Sequence, residues 1–598
     1  MRFIRKSMVE WFDVGQLAST GMKAVISAIF GNFSDKREIQ SAFGDQAPFE
    51  YCEKEEIWID YVADLGDGFN STYTVASLLA AQDLDAIYME GDKEERLKKT
   101  PRGEILIMGG DEVYPTPTRE EYINRLQGPY EAAFPEDREI IDEKRSVKPP
   151  HLYAIPGNHD WYDGLTSFTK VFCQDRSIGN WLTRQKRSYF AIKLPNNYWI
   201  WAIDIMLNSD IDKMQLDYFE KLEYLPGDKI ILCTAEPSWV LNTHSNQKNA
   251  FEGLDFFIRR YITSKNLNLK AVLSGDLHHY SRYEEIQQQS KTGTKVQFIT
   301  AGGRGAFTSP THNLKNEIDW GHEHDVDKHV DGAILQEHTF PSQKESKKLL
   351  FNNFWFFFYN PYFCMFLGFI FLMTAWILES SPVVRQESVN GVSEIIIKDS
   401  FMKAANIQDS ISGVWFTIEE FVFHNPTICI LNLMVFLGIF LFTDTKYGRG
   451  KWNLLAGLVH ATLQVLLFYF LVVGFTKLNL QITNLEVNSL TYATLFSLEM
   501  LSLGSFAIGI IFGGYLIISS LFFKNHATES FSAFRCEDYK NFLRMKISNE
   551  GLTIYPYGIK KVNNQWTVDN SDPNKPKFTP KKDRLEFRLI EKPIEIKN

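Results

Sequence analysis

The sequence predicts an α/β domain, then an α-helical membrane region, then a short β-rich C-terminal unit. Between residues 57 and 304, apolar runs of strand length alternate with amphipathic stretches, as in proteins whose strands are buried on both faces. From residue 349 to residue 523, four long windows contain no Asp, Glu, Lys or Arg. After residue 525, short alternating stretches separated by Gly, Asn and Asp turns are typical of a small β unit.

The composition excludes several classes of protein. The 598 residues include 63 Lys and Arg against 73 Asp and Glu, a formal net charge of −10. Nothing in that balance attracts nucleic acid phosphates, so we expect no nucleic acid partner. The six cysteines lack CxxC spacing, which predicts neither a disulfide framework nor a structural zinc site. A hydrophobic fraction of 44% excludes wholesale disorder.

Charge and hydropathy divide the chain into four predicted parts. Residues 1–50 form an amphipathic, membrane-proximal segment, because charged residues interrupt its apolar runs and leave no signal-peptide core. Residues 51–340 form the α/β domain, and residues 349–523 form the membrane region. Residues 525–598 form a small β-rich domain on the cytoplasmic side.

Each uncharged window can hold the roughly 20 helical residues that cross a hydrocarbon core of about 30 Å. The four predicted helices span about 355–378, 424–443, 453–476 and 500–523. Basic residues concentrate just before the first helix and between the second and third. Basic flanks stay in the cytoplasm, so we expect both termini and the α/β domain to face the cytoplasm.

One histidine, His460, lies inside the third window. An ionisable residue in a membrane span is a functional-site hypothesis by default. The alternative is a neutral histidine that forms hydrogen bonds between helices. The windows provide almost no other ionisable side chain for a proton or ion relay, so the sequence does not favour a transporter.

Polar side chains that can bind a metal stand at the ends of successive apolar runs: Asp64, Asp111, Asn158, His244 and Asp276. The carboxyl ends of strands in an α/β sheet form the edge where ligands bind. A single Asp after a strand is commonly a helix cap or a turn former. Five such residues in succession, most of them beside glycines, favour a metal site.

The blocks ADLGDG, GGDEVY, PGNHDW, NTH and SGDLHH resemble, in this order, the motifs of the calcineurin-like metallophosphoesterase superfamily. The DLG block and the tyrosine of GDEVY are similar to the purple acid phosphatase pattern, DxG followed by GDxxY. The resemblance covers roughly residues 57–305. It implies a metallophosphoesterase-type α/β sandwich that holds two metal ions.

The resemblance also implies a role for each motif residue. For one metal ion the implied ligands are Asp64, Asp111, Tyr114 and His278. For the second they are Asp111, Asn158 and His244, with Asp111 as the bridge. His159 is the implied general acid, held by Asp160. From its residue type alone, Tyr114 is either a phenolate ligand or a hydroxyl packed beside Pro115.

The chain departs from the family pattern at one position. The family reads GHxH where this chain reads GDLH at residues 275–278, so Asp276 stands where the second metal would receive an imidazole. An oxygen ligand favours Mn²⁺, Mg²⁺ or iron over Zn²⁺. The alternative is a degraded site. Asp67 and His279 are spare donors nearby.

A charged insertion at residues 112–150 is predicted to form a helical cap over the metal site. It contains the capping-box spacing of Thr118 and Glu121. Arg304, in AGGRGAF, is the predicted phosphate-binding residue. Arg119 and Arg125 are further candidates, although a solvated surface position explains them equally well.

The sequence therefore predicts a membrane-anchored metallophosphoesterase that uses a hydroxide activated by two metal ions. The expected substrate is a phosphorylated small molecule or a lipid headgroup. A second hypothesis is a non-catalytic metal- or phosphate-binding sensor domain that regulates a four-helix membrane protein. A third hypothesis places the domain outside the cell, but the basic residues of the loops oppose that orientation. Monoester or diester preference and oligomeric state stay open.

Overall fold

The protein is described by a computed structural model over residues 3–19, 21–22, 46–91, 93–136, 149–206, 210–243, 250–286, 295–303, 305–319, 333–380, 383–389, 392–398, 411–415, 418–419, 426–443, 450–486, 489–569, 577–581 and 585–598. Its contacts divide the chain into two units. The first, the sandwich unit, comprises residues 1–9, Ala18–Lys347 and Arg535–Asn598. The second, the helical unit, comprises Glu10–Leu17 and Lys348–Phe534.

The sandwich unit contains two nine-stranded sheets. In spatial order the strands of the first sheet are Phe49–Glu50, Phe190–Lys193, Tyr198–Ala202, Lys229–Cys233, Asn268–Ser274, Gln297–Ala301, Tyr280–Glu285, Ala333–Phe340 and Glu317–Asp319. Those of the second are Arg588–Leu589, Gly551–Ile559, Lys540–Ser548, Ile57–Val62, Ile105–Gly109, His151–Ile155, Trp181–Thr183 and Ser177–Ile178, with Ile594–Lys597 also paired to Gly551–Ile559. This confirms the predicted α/β fold class.

The strands that carry the motifs pair in parallel at the centre of each sheet. Ile57–Val62, Ile105–Gly109 and His151–Ile155 are neighbours in the second sheet, and Lys229–Cys233 and Asn268–Ser274 are neighbours in the first. Alternate residues of both sheets, such as Ile59, Ile107, Ile231 and Leu273, form the core between them. The opposite faces pack against helices. Burial on both faces explains the near-continuous apolar runs.

The helices of the sandwich unit are short. They are Phe69–Ala80, Arg119–Glu121, Tyr122–Gln127, Gly128–Ala133, Asn158–Trp161, Thr166–Phe172, Pro195–Asn197, Lys213–Glu220, Ser238–Leu241, Glu252–Phe257, Ile258–Ile262 and Thr263–Lys265. Small two-stranded ladders join Asp83–Leu84 to Thr100–Pro101, Ile87–Glu90 to Lys93–Arg96, and Trp566–Asp569 to Lys577–Pro580. Gln343–Leu350 forms a helix that contains Lys347 and Lys348, the residues at which the chain leaves the first unit and enters the second.

The C-terminal strands do not form a unit of their own. Their presence was predicted, but Lys540–Ser548 pairs antiparallel with Ile57–Val62 and extends the second sheet of the sandwich. Arg544 explains why this strand pairs with Ile57–Val62, because its guanidinium donates to both carboxylate oxygens of the buried Asp60, at 2.7 and 3.0 Å. The predicted separate domain at 525–598 is therefore corrected: from Arg535 onward the chain belongs to the sandwich unit.

In the described part of the chain, three helices of the helical unit are long and apolar enough to cross a membrane: Pro361–Ser380, Gly450–Ile482 and Leu490–Phe523. The predicted second membrane helix contains an apolar helix of 16 residues, Pro426–Leu441; residues 420–425 before it and 444–449 after it are outside the described part. Shorter helices at Phe351–Trp355 and Phe356–Tyr359 precede the first. A hairpin, Val383–Val389 with Val392–Lys398, follows it.

The helix boundaries differ from the predicted ones for physical reasons. The first long helix begins at Pro361 rather than near residue 355, because proline cannot continue a preceding helix. The last begins at Leu490 rather than residue 500 and includes the π-helical turn Met500–Gly504. Glu499 is accommodated within that helix because its carboxylate accepts a hydrogen bond of 2.7 Å from the Asn479 amide.

In the described part of the N-terminal segment, residues 14–19 and 21–22 are helical. The backbone N–H of Val9, in the extended stretch before them, donates to Asp67 at 2.7 Å. The predicted amphipathic character of residues 23–45 lies outside the described residues and stays a prediction.

Candidate metal centre

The candidate site lies where the central strands of both sheets end. Asp64 and Asp111 each stand two residues beyond a strand, after Val62 and Gly109. Both have left-handed backbones, with φ of 58° and 51°, as has Asp276 with φ of 65°. Left-handed turns here cost conformational energy that the surrounding contacts offset. They bring three carboxylates to one edge of the sandwich.

Three buried side chains offer donor atoms that all lie within 4.8 Å of one another: Asp64, Asp111 and His278. The Tyr114 hydroxyl is 2.9 Å from Asp111 Oδ2 and 3.0 Å from His278 Nε2. The backbone N–H of Asp276 donates to Asp64 Oδ1 at 2.9 Å. The structure therefore brings together the four residues implied for one metal ion.

The electrostatics of this cluster fit a bound cation. Burial and the charge of Asp111 raise the pKa of the Asp64 carboxyl well above its usual range, and the same two causes raise that of Asp276. Burial lowers the pKa of His278 to about 3, so its imidazole is neutral and able to bind a metal. Among the described residues, the buried Oδ2 of Asp64 has no hydrogen-bond partner. Buried carboxylates without a counter-charge are costly, and a cation would offset that cost.

His159 and Asn158 come from the short helix Asn158–Trp161. The backbone N–H of His159 donates to Asp111 Oδ1 at 2.9 Å, and its Nδ1 lies 2.9 Å from the carbonyl oxygen of Pro115. A hydrogen bond from Nδ1 to that carbonyl leaves Nε2 as the nitrogen that exchanges a proton. Within the described part of the chain, the buried Oδ1 of Asn158 has no hydrogen-bond partner. This is expected of an oxygen whose partner is a metal ion.

The described hydrogen bonds of the Asp160 carboxylate go to the backbone and to Tyr122 rather than to the His159 ring, so the role expected for Asp160 stays a prediction. Its Oδ2 accepts the backbone N–H groups of Gly157 and Glu112, at 2.9 and 3.1 Å, and its Oδ1 accepts the Tyr122 hydroxyl at 2.5 Å. Asp160 occupies the third position of the helix, from which a carboxylate caps the first N–H. Burial and Asp111 raise its pKa to about 8. Asp160 therefore positions the loop, and the Pro115 carbonyl orients His159.

Glycines allow the backbone to approach the carboxylates. A Cβ at Gly157 would lie 2.1 Å from Asp111 Oδ1, and one at Gly302 would lie 2.0 Å from Asp64 Oδ2. No side chain fits at either position. This close approach explains the glycine of the GNHD block and the first glycine of AGGRGAF.

Two predicted site residues, His244 and Arg304, lie outside the described residues, and their roles stay predictions. Arg125 is a structural residue instead, since its guanidinium donates to the backbone carbonyls of Asp67 and Ser7, at 2.5 and 2.8 Å. Arg119 is exposed at the start of the cap helix, whose N-cap Thr118 accepts the N–H of Glu121 at 3.2 Å. Residues 137–148 of the predicted cap are outside the described part.

Sequence reasoning missed Lys540, which is fully buried near the site. Its ammonium donates to the Ala306 carbonyl at 2.5 Å and lies 3.3 Å from the Thr308 hydroxyl. It therefore supports the loop that follows Arg304. No sequence signal identifies it, because Lys540 belongs to a strand that local patterns assign to a separate unit.

Comparison with known proteins agrees with this geometry. Residues 57–280 match the family described as calcineurin-like phosphoesterase. No curated protein sequence matches the chain.

Among solved structures, the fold is similar to three proteins. The first is GAP50, described as the anchor in the inner membrane complex of Plasmodium, at 10% identity over 43% of this chain and 74% of that chain, with a TM-score of 0.28. The second is purple acid phosphatase PPD1 from yellow lupin (Lupinus luteus) seeds, at 13% identity over 48% of this chain and 49% of that chain, with a TM-score of 0.27. The third is PhoD, at 13% identity over 50% of this chain and 72% of that chain, with a TM-score of 0.26.

The assignment rests on the family match and on the side chains themselves. The matched residues include the strands that precede Asp64 and Asp111 and the loop that carries His278. These three side chains form a metal-competent cluster among the described residues. Residues 57–280 are therefore a calcineurin-like metallophosphoesterase domain, a class of hydrolase that acts on phosphate esters.

Proposed function

We propose that the protein is a membrane-anchored, dimetal phosphoesterase that uses His159 as its general acid. The observation that carries the proposal is the buried cluster of Asp64, Asp111 and His278, whose donor atoms lie within 4.8 Å of one another. Tyr114 completes the first set of ligands. Asn158, Asp276 and His244 are the proposed ligands of the second metal, with Asp111 between the two.

When bound, a pair of metal ions lowers the pKa of a water molecule to give a hydroxide nucleophile and polarises the phosphoryl oxygens. The chain's own residues fix the geometry. The Tyr114 hydroxyl and the His159 N–H each bind one oxygen of Asp111, so both oxygens of the proposed bridging carboxylate are oriented. The His159 N–H is an outer contact, and such contacts hold a ligand in position.

As the proposed general acid, His159 would protonate the leaving group. Its ring lies 4.4 Å from that of Tyr114 and 4.9 Å from that of Tyr162, which restricts its orientation beside the ligand cluster. With Nδ1 bonded to the Pro115 carbonyl, Nε2 carries the proton that a leaving alkoxide needs. The reaction requires no Ser or Cys nucleophile.

Arg304 is the proposed phosphate-binding residue. Support comes from its neighbours, since Gly302 lies against the Asp64 carboxylate and the backbone N–H of Gly305 donates to the Asp64 carbonyl at 2.8 Å. The chain on both sides of Arg304 thus contacts a proposed metal ligand. A guanidinium there would bind phosphate oxygens in a bidentate manner.

We further propose that the metals are Mn²⁺, iron or Mg²⁺ rather than Zn²⁺, because Asp276 supplies oxygen instead of an imidazole. The apolar helices anchor the domain in a bilayer, with the catalytic domain and both termini in the cytoplasm, as the basic flanks indicate. Membrane attachment favours a phosphorylated lipid headgroup or a small phosphate ester near the bilayer as substrate.

The test is the hydrolysis of bis(4-nitrophenyl) phosphate and 4-nitrophenyl phosphate by the full-length protein in nanodiscs, with Mn²⁺. We expect Asp64→Asn to lower the rate at least about 100-fold, because the metal supplies several kcal/mol of transition-state stabilisation. Asp83→Asn, an exposed carboxylate paired with Lys99, is the matched control and should retain the rate. Equal rates in the two variants would refute the assignment of the site.

A further inference from the structure

The solvent-facing side of the metal centre includes the loop after the strand His151–Ile155. The side chains proposed as ligands of the first metal are all buried. On this loop, by contrast, Asn158, His159 and Tyr162 are half-buried. A substrate approaches the metal centre from the side that solvent reaches, so these three side chains are the ones it meets. Asn158 and His159 have proposed roles, whereas Tyr162 has none.

Tyr162 lies beside the proposed general acid. Its ring meets the ring of His159 at 4.9 Å in a T-shaped contact, and the ring of the buried Tyr114 lies 4.4 Å from His159. His159 thus contacts one buried and one half-buried tyrosine. Burial and the charges of Asp111 and Asp276 raise the pKa of Tyr162 to about 12. Tyr162 therefore lies within the field of two proposed metal ligands.

The backbone on both sides of Tyr162 is fixed, although its hydroxyl has no hydrogen-bond partner among the described residues. The indole N–H of Trp161 donates to the buried Asp204 at 3.1 Å. The Asp163 carboxylate accepts two backbone N–H groups from the start of the helix Thr166–Phe172, at 2.9 and 3.0 Å. A donor that is held in place before the substrate arrives loses little conformational freedom on binding.

We propose that the Tyr162 hydroxyl donates a hydrogen bond to a phosphoryl oxygen of the substrate. This inference rests on the function proposed above and adds to it a substrate-binding residue outside the motif blocks. Because the rings of Tyr162 and His159 are in contact, the hydroxyl is near the phosphate whose leaving group His159 would protonate. A phenol donates a hydrogen bond without carrying a positive charge, so it does not repel the metal ions.

The surroundings of Tyr162 favour a phosphoryl oxygen over a more distant part of the substrate as the acceptor. The carboxylates whose charges act on Tyr162 are proposed metal ligands, and the phosphoryl group of a substrate binds at the metals. Phosphoryl oxygens are present in every substrate and in the product phosphate. The contribution of Tyr162 should therefore be independent of the leaving group, unlike that of His159.

The test uses the full-length protein in nanodiscs, loaded with Mn²⁺. It measures the Kd of inorganic phosphate by isothermal titration calorimetry, and kcat/KM for an alkyl and a nitrophenyl phosphate ester. In Tyr162→Phe, which removes only the hydroxyl, we expect the Kd to rise and kcat/KM to fall, each about tenfold to 100-fold, as for a lost hydrogen bond to a charged group. The loss should be equal for the two esters, and the amount of bound Mn²⁺ should not change.

Tyr261→Phe is the matched control. Tyr261 is also half-buried, but its ring stacks on that of Phe257 at 5.1 Å and packs against the outer core of the first sheet. This variant should keep the Kd and kcat/KM within about twofold of the wild type. If Tyr162→Phe does not elute as a folded protein in size-exclusion chromatography, Tyr162→Met replaces it with the same expected results.

Three results in the Tyr162 variant would overturn the inference: an unchanged Kd for phosphate, a loss confined to the alkyl ester, or a loss of bound Mn²⁺. The proposed function is judged separately, on the wild type. A wild-type protein that binds no phosphate and hydrolyses neither ester with Mn²⁺ would overturn that function, and this inference with it. Wild-type binding and hydrolysis that Tyr162→Phe leaves unchanged would overturn the inference alone.

Discussion

The backbone N–H of His159 donates to Oδ1 of Asp111 at 2.9 Å. One hydrogen bond therefore joins the proposed general acid to the proposed bridging ligand. The other oxygen of Asp111 accepts the Tyr114 hydroxyl, and the His159 ring is fixed by the Pro115 carbonyl. The acid and the metal site are thus positioned by the same short loop after the strand Ile105–Gly109.

The role of His159 predicts a dependence on the leaving group. In His159→Asn, we expect the rate to fall by about 10²–10⁴ for phosphate esters of unactivated alcohols, whose alkoxides require a proton. The effect should be much smaller for nitrophenyl esters, whose leaving groups are stable as anions. Initial rates with both ester types check this. An equal loss for both would assign His159 to the metal or to folding instead.

The role of Asp276 predicts a change in metal preference. Asp276→His replaces an oxygen ligand with an imidazole, and we expect the ratio of the Zn²⁺-supported rate to the Mn²⁺-supported rate to rise about tenfold or more. Rates after removal of metal and addition of each ion measure this ratio. Asp276→Asn is the control and should lower both rates without raising the ratio. An unchanged ratio in Asp276→His would contradict a ligand role for Asp276.

The placement of the C-terminal strands predicts their contribution to stability. Arg544→Met leaves Asp60 buried without its partner, and we expect a loss of about 3–5 kcal/mol in the free energy of unfolding. Lys546→Met, on the same strand, removes a half-exposed pair with Glu56 and should cost less than about 1 kcal/mol. Denaturant unfolding followed by tryptophan fluorescence compares them. Similar losses would argue against the buried pair.

Asp67 predicts a pH dependence of stability. Burial raises the pKa of Asp67 to about 7, although the Arg125 guanidinium lies 3.7 Å from its carboxylate. In the unfolded chain an Asp has a pKa of about 3.9. The folded state therefore binds the proton more tightly, so stability should fall as the pH rises from about 4 to about 7 and level off above. Asp67→Asn should flatten this slope, which thermal unfolding across that range measures. An unchanged slope would contradict the shift.

The sequence predicted those features of the fold and the site that depend on residues close together in the chain. The motif residues stand directly after their strands, so parallel pairing alone brings Asp64 and Asp111 to one edge. Pairings between distant residues could not be predicted in this way. Arg544 and Asp60 are 484 positions apart, and no local pattern shows that a C-terminal strand joins the sheet beside Ile57–Val62.

The sequence also could not predict which side chains form hydrogen bonds with each other. Asp160 follows His159 directly, yet its carboxylate caps the helix start because the chain turns there. The predicted fourth helix begins at residue 500, but the helix also includes Glu499, whose carboxylate accepts a hydrogen bond from the Asn479 amide. Both differences arise from hydrogen bonds that form only in the folded protein.

The central claim is that the cluster of Asp64, Asp111 and His278 binds the metal that supports hydrolysis. The most direct test is a Mn²⁺ titration of the metal-free, full-length protein, with bound Mn²⁺ and the rate of phosphodiester hydrolysis measured on the same samples. We predict that binding and rate rise together in the wild type and in Asp83→Asn, and that Asp111→Asn loses both. A wild-type protein that binds Mn²⁺ without hydrolysing either a diester or a monoester would contradict the account and indicate a metal-binding sensor domain.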